Sequence, residues 1–247
     1  MDRLIYTSLT AMRGAMARQA TTANNLANAS TTGFRKELAN ARPLWVDGPG
    51  FDARVASSEE VIEADMTAGV ISETGRALDI ALEGDAMLGV QAKNGEESYT
   101  RRGDLQLTDS GLLTTGDGLP VLGEGGPVTL PSADDVRIDK DGTVWIVPAG
   151  GDPTQPQRAD RLKIASPAGS DVLKGLDGLF RVRGGGTLPA DPEARVIAGS
   201  LEASNVNTSQ ALVDMIEASR AWETQMKLLT TARDLDTASA DLMRLPS

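Results

Sequence analysis

The feature that most constrains this chain is where its helix breakers fall. Residues 1–42 contain no proline and, of the 26 glycines in the chain, only Gly14 and Gly33; residues 200–247 contain no glycine and a single proline, Pro246. Both ends are therefore free to run as long helices, while the glycine-rich middle must turn often. Each end carries an apolar stripe too narrow to make a core alone, so the helices need partners, either each other or neighbouring copies.

The first helix is predicted from about residue 3 to residue 29. Ile5, Leu9, Met12, Met16, Gln19, Ala23 and Leu26 follow at steps of four and three, a coiled-coil-like seam with one polar member. Ala11, Gly14, Ala15, Ala17, Ala20 and Ala27 keep other faces small enough for close approach. The exit holds Asn24, Asn25 and Asn28, where side-chain amides compete for backbone groups, and then Gly33, which can adopt the left-handed conformation that stops a helix. Phe34 is expected to pack back, with Arg35 and Lys36 facing solvent or an acidic neighbour. The last helix is predicted from Thr208 to Leu245, with Leu212, Met215, Ser219, Trp222, Met226 and Leu229 in the same rhythm. Leu228, Leu235 and Leu242 make a second line beside it, wide enough for a helix to touch two partners.

Between the helices, periodicity is weak from Pro43 to Gly75, which reads as an extended connector. Short strands are then predicted at 78–82, 87–91, 98–101, 105–107, 112–114, 120–121, 128–130, 136–138, 143–147, 162–164 and 180–182. Their separators, such as Asn94-Gly95 and Asp109-Ser110-Gly111, are those of an antiparallel meander or small barrel. Asp139-Lys140-Asp141-Gly142 lacks the further acids and the closing glutamate of a calcium loop, so it reads as a hairpin turn. Gly184-Gly185-Gly186 has no following lysine or helix start and reads as a surface turn.

Charge and residue usage exclude several functions. With 24 basic and 35 acidic side chains the net charge is −11, which speaks against nucleic acid or an anionic membrane as partner. The chain has no histidine and no cysteine, so it lacks the commonest metal ligands and the best nucleophile. Paired acids such as Glu59-Glu60 and Asp134-Asp135 are sequence neighbours, which seldom face each other across a substrate. No catalytic residue, metal site, cofactor or small-molecule substrate is expected, and neither a signal peptide nor a membrane span is read in the sequence.

Two motifs carry a family resemblance. Asn24-Asn25-Leu26-Ala27-Asn28 followed by Ser30-Thr31-Thr32-Gly33-Phe34 resembles the N-terminal signature of the flagellar rod, hook and hook-associated axial proteins. Gly199-Ser200-Leu201-Glu202-Ala203-Ser204-Asn205-Val206-Asn207, leading into Leu212-Val213-Asp214-Met215-Ile216, resembles its C-terminal partner. In the middle, the run from Arg76 to Gly84 resembles the start of the body domain of rod and hook proteins, and Tyr99-Thr100-Arg101-Arg102-Gly103 its early hairpin. The opening Met1-Asp2-Arg3-Leu4-Ile5-Tyr6 is similar to that of proximal rod proteins. Asp85-Ala86-Met87-Leu88 stands where distal rod proteins usually carry aromatics.

The resemblance implies an α+β chain. Terminal helices over 1–34 and 201–247 pair as a coiled-coil-like domain, a connector covers 35–75, and an all-β body covers 76–200. It implies a structural subunit of the bacterial flagellar basal-body proximal rod, not an enzyme, exported unfolded through the flagellar export apparatus into the periplasm without a cleaved signal peptide. Its partners would be copies of itself and other rod proteins; the alternatives are a low-copy adaptor or cap, or a distal rod subunit. The residues expected at subunit contacts or in helix packing are Ile5, Leu9, Met12, Met16, Ala23, Leu26, Leu212, Met215, Trp222, Met226 and Leu229, with Trp222 either an anchor between subunits or plain packing within one. The motif residues are Asn24, Asn25, Leu26, Asn28, Gly33, Phe34, Leu201, Glu202, Ser204, Asn205, Val206 and Asn207, with Asn25 and Asn205 bonding to backbone at the helix exit and entry, or acting as plain caps.

Overall fold

Two helices and a hairpin form one compact unit, and a β body forms the other. The computed structural model describes residues 2–45 and 55–243, with side chains at 8–39 and 63–240. The first unit gathers the terminal helices and the segment 37–63; the second gathers 28–36 and 64–206.

Helix α1 spans Asp2–Ala27 and helix α2 spans Thr208–Met243, and the two pack along one another. What faces inward is small. Ser8, Ala15, Thr21 and Asn25 are buried on α1, and Ala211, Ala218 and Ala232 on α2, with Met215, Trp222 and Leu229 half-buried between them. Positions 211, 215, 218, 222, 225, 229 and 232 thus form the four-and-three seam, with alanine at three of the seven. α2 starts on a cap: Asn207 accepts the Gln210 N–H at 3.0 Å, satisfying one of the donors a helix start leaves open. Its threonines are reconciled to the helix by bonding backward, Thr224 to the Arg220 carbonyl and Thr230 to that of Met226.

The segment 35–75, expected as a connector, carries strands Glu37–Trp45 and Val55–Ala64, which pair with each other, and Ile71–Glu73, which pairs with Ser200–Glu202. Two features hid them: the first pair is rich in Glu, Ser and Ala, and the third strand is exposed at every position. α1 stops at Ala27 rather than 29, because Asn28 and Thr31 already form a turn.

The body is antiparallel throughout. A five-stranded sheet runs in the order 164–165, 87–91, 97–100, 180–182, 172–174, and a three-stranded sheet joins 133–138, 143–148 and 157–161. Smaller pairs link 105–107 to 113–115 and 122–123 to 126–127; another joins 80–82 to 196–198, so the last strands of the body lie against its first. The strands expected at 120–121 and 128–130 form only isolated bridges. The strand Gln157–Arg161, which follows the Pro/Gly-rich interruption, was not legible because its residues are exposed and polar. Asp139–Gly142 is the turn between two strands of the three-stranded sheet, with the Asp141 carboxylate accepting the Thr143 N–H at 3.0 Å.

The strand Met87–Gln91 is buried at four of five positions because it lies between two clusters. Leu88 and Val90 join Ile80, Leu113, Val128 and Val144 in the larger; Met87 joins Tyr99, Ala165, Phe180 and Leu188 in the smaller. The Tyr99 hydroxyl donates to Glu97 and accepts the Leu188 N–H. Burial foremost, then the bond to the Glu97 carboxylate, holds this phenol well above its ordinary value. A raised folded pKa means stability that is complete below about pH 10 and lost as the pH rises beyond it. Thermal unfolding measured from about pH 8 to about pH 11 should therefore fall more steeply for the wild type than for Tyr99→Phe. Parallel curves would refute this reading.

Candidate functional site

The two chain-end motifs meet on the first strands of the body, around one carboxylate. Gly33 sits at φ 66, donates its N–H to the Glu202 carbonyl at 2.8 Å, and lies so close to the Arg101–Arg102 peptide that no Cβ fits. Only glycine satisfies both the backbone angle and the approach.

Glu202 is 1% exposed and gathers three other segments. Its Oε1 accepts the Gly69 N–H and faces Arg35 Nη2, both at 2.8 Å; its Oε2 accepts Arg101 Nε at 2.9 Å and Nη2 at 2.6 Å. Arg101 is also 1% exposed and leaves no donor idle. Nη2 also bonds the Leu82 carbonyl, and Nη1 bonds the carbonyls of Gly84 and Ala86, so all five N–H groups have acceptors. This is the fork geometry that a lysine cannot reproduce.

Arg35 is the less complete partner. It bonds the Thr67 carbonyl through Nη1, its contact with Glu202 is close but off the hydrogen-bonding axis, and its Nε has no partner. Burial first, and then the neighbouring Arg101, lower its pKa; Glu202, Asp65 and Asp85 act in the opposite direction. Of the two expectations for Arg35, solvent or an acidic neighbour, the second holds: at 1% exposure it points inward, to Glu202. Lys174 closes the arrangement from outside, with Nζ 3.6 Å from the centre of the Phe34 ring and 2.9 Å from the Arg35 carbonyl.

The asparagines hold strand edges. Asn25 exchanges both bonds with the Glu37 backbone, Nδ2 to the carbonyl at 2.9 Å and Oδ1 from the N–H at 2.7 Å, in the manner of a neighbouring strand. Asn205 accepts the Lys36 N–H at 2.7 Å and donates to the carbonyls of Asp65 and Thr67, both at 2.9 Å. Asn24 reaches the Glu37 carboxylate, Asn28 accepts from Thr31, and Ser204 accepts the Val206 N–H. Asn207 caps α2, Leu201 pairs with Ser72 across a strand, and Leu26 and Val206 are half-buried.

The stripe residues behave differently. Met12, Met215, Trp222 and Leu229 are half-buried, whereas Leu9 is 40% exposed, Met16 56%, Leu212 50% and Met226 38%; Ala23 is exposed too. The side chain of Ile5 lies outside the described residues. Within one chain the α2 seam runs through 211, 218 and 225 rather than 212, 219 and 226, because alanines let the helices approach and the larger residues are turned to the flank. Arg101, Gly69 and Thr67 were missed as site residues. Nothing around Arg101 marks it out, since it stands among polar residues beside Arg102, and its carboxylate lies 101 positions away.

Among the described residues no group of three or more His, Cys, Asp and Glu could hold a metal ion. Three family profiles match in order along the chain: Flagella basal body rod protein over 5–35, Flagellar hook protein FlgE/F/G D1 domain over 81–146, and Flagellar basal body rod FlgEFG protein C-terminal over 197–242. The flagellar basal-body rod protein FlgF of Salmonella typhimurium is 40% identical over 99% of this chain and 100% of its own length. That of Escherichia coli is 41% identical over 95% of both, and the rod protein FlgG of Bacillus subtilis is 29% identical over 95% of this chain and 97% of its own. The glycine, carboxylate and asparagines that join the chain ends lie within or beside the matched terminal segments, and the chain belongs to the flagellar basal-body rod proteins, with FlgF-like proximal rod proteins first and FlgG second.

Proposed function

We propose that this chain is a structural subunit of the proximal rod and polymerises through its terminal helices into part of the drive shaft between the inner-membrane ring and the distal rod. The observation that carries the reading is the division of labour on the helices. Small residues pair α1 with α2, and Leu9, Met16, Leu212, Ile216 and Met226 are left 38–56% exposed beside that seam. An apolar flank of this kind gains by burial against a neighbour. Trp222, half-buried in the seam, keeps a buried indole N–H with no acceptor among the described residues. Copies of this chain and other rod proteins are the proposed neighbours. Contacts differ front and back, so the assembly stays open to further addition.

The compartment follows from the same reading. The protein resides in the basal body, on the periplasmic side, after unfolded passage through the flagellar export apparatus without a cleaved signal peptide. No described helix is long and apolar enough to cross a membrane. Absence of cysteine suits a chain that travels unfolded into an oxidising space.

Met226→Asp and Leu212→Asp test the interface. Both side chains are partly solvated in the single chain, so the purified variants should keep the helix content and body unfolding transition of the wild type. In a rod, the same charge would be buried unpaired at a cost of several kcal/mol, and cells carrying either variant should lack rods and motility. Wild-type motility in both would sink the proposed seam. A low-copy adaptor is separated by counting subunits in isolated basal bodies: a tube segment needs about a helical turn of copies, an adaptor one or two.

A further inference from the structure

We infer that Glu202 is a closing latch: the body cannot complete its fold until the C-terminal motif arrives, so a chain whose last segment has not been delivered stays open. This goes beyond the rod-subunit reading and does not depend on it.

The argument rests on the placement of charge. Arg35 and Arg101 are each 1% exposed, and among the described residues Glu202 is the only carboxylate in ion-pair contact with either. Two guanidinium groups therefore lie in the body interior around one anion, and that anion comes 101 positions after Arg101, on the last strand of the body. Without it, Arg101 could keep its bonds to the carbonyls of Leu82, Gly84 and Ala86 but would be an uncompensated charge, which is among the costliest things a fold can bury.

Backbone pairing reinforces the point. Residues 196–198 pair with 80–82 and residues 200–202 with 71–73, so the edges on which the body begins are filled by its last strands. Ala203 donates to the Val70 carbonyl, and Thr74 and Gly75 both donate to that of Gly199. A chain made from its N-terminus presents the edges and the arginines early, and the filling strands and carboxylate late. The same charge that secures the finished body thus keeps the unfinished one from closing.

Hydrogen exchange on the full-length protein tests this in two ways. In Glu202→Gln, amides of core residues, such as those of Val90, Leu113 and Val128, should exchange roughly a hundredfold or more faster, together with loss of the near-ultraviolet signal of Tyr99 and Trp145. If exchange rises only at Gly33, Gly69 and Ala203, or not at all, Glu202 is a local staple and the latch is refuted. Pulse labelling during refolding of the wild type reads the order of events directly. Core amides should gain protection in the same phase as Gly69 and Ala203; core protection that precedes them would overturn the inference even if the variant fails to fold.

Discussion

Arg101→Met should lower the melting temperature of the body by about 10 °C, while the same change one residue later, Arg102→Met, should leave it nearly unaltered. The two arginines differ only in what surrounds them. Arg101 directs five donors to three carbonyls and to Glu202, and its loss leaves the buried Oε2 of Glu202 and the carbonyls of Leu82, Gly84 and Ala86 without those donors. Removing one member of a buried pair costs about 3–5 kcal/mol, and in a domain of this size each kcal/mol is worth about 2–4 °C. Arg102 makes an ion pair with Asp104 at 2.6 Å that is 26% and 17% exposed, where water screens the charge and a pair contributes about 1 kcal/mol or less. Calorimetry on both variants would decide it, and equal shifts would mean that burial is not what makes Arg101 valuable.

Gly33→Ala should release the segment 28–36 from the body and abolish motility, although the variant removes no side chain. A Cβ there would stand 2.6 Å from the Arg102 nitrogen, against backbone that cannot swing aside, at a φ that alanine resists. Strain and clash together put the cost at about 3 kcal/mol or more, and the chain escapes it by unseating the N-terminal motif. Gly84→Ala is the control: its φ is 59, yet nothing lies within 4 Å of the added atom, so about 1 kcal/mol is expected. Limited proteolysis should cut Gly33→Ala within 28–36 and spare Gly84→Ala. Resistance of both to cleavage would show that the N-terminal motif is held by something other than the Gly33 seat.

Much of this protein is written locally. The absence of helix breakers at the ends placed α1 within two residues of its observed limits and the start of α2 at Thr208, because helix continuity depends on residues one turn apart. Regular turn signals gave the antiparallel body for the same reason: Asn94-Gly95 and Asp109-Ser110-Gly111 act within four residues. The resemblance of the motifs at 24–34 and 199–216 to those of rod proteins is likewise a property of short stretches. The seam is legible only in part: Met215, Trp222 and Leu229 lie in phase, but the stripe of large residues puts Leu212 and Met226 where Ala211 and Gln225 lie inward. Hydrophobicity ranks leucine above alanine, whereas two helices that touch closely prefer the smaller side chain, and that preference appears only when both helices are present.

The tertiary structure alone decided the joint. Nothing near Arg35 indicates that it turns inward rather than outward with Lys36, and nothing near Glu202 indicates that it will be 1% exposed. Their meeting with Arg101 spans more than a hundred residues of chain, and no local pattern encodes a charge balance drawn from segments so far apart. Sequence by itself determined the two terminal helices and most strands of the body, because those are properties of short windows, but not the polar strands at 37–45, 55–64, 71–73 and 157–161. Which polar residues those elements bury, and around which single carboxylate the two ends close, depends on groups brought together from opposite ends of the chain, and that meeting exists only in the folded protein.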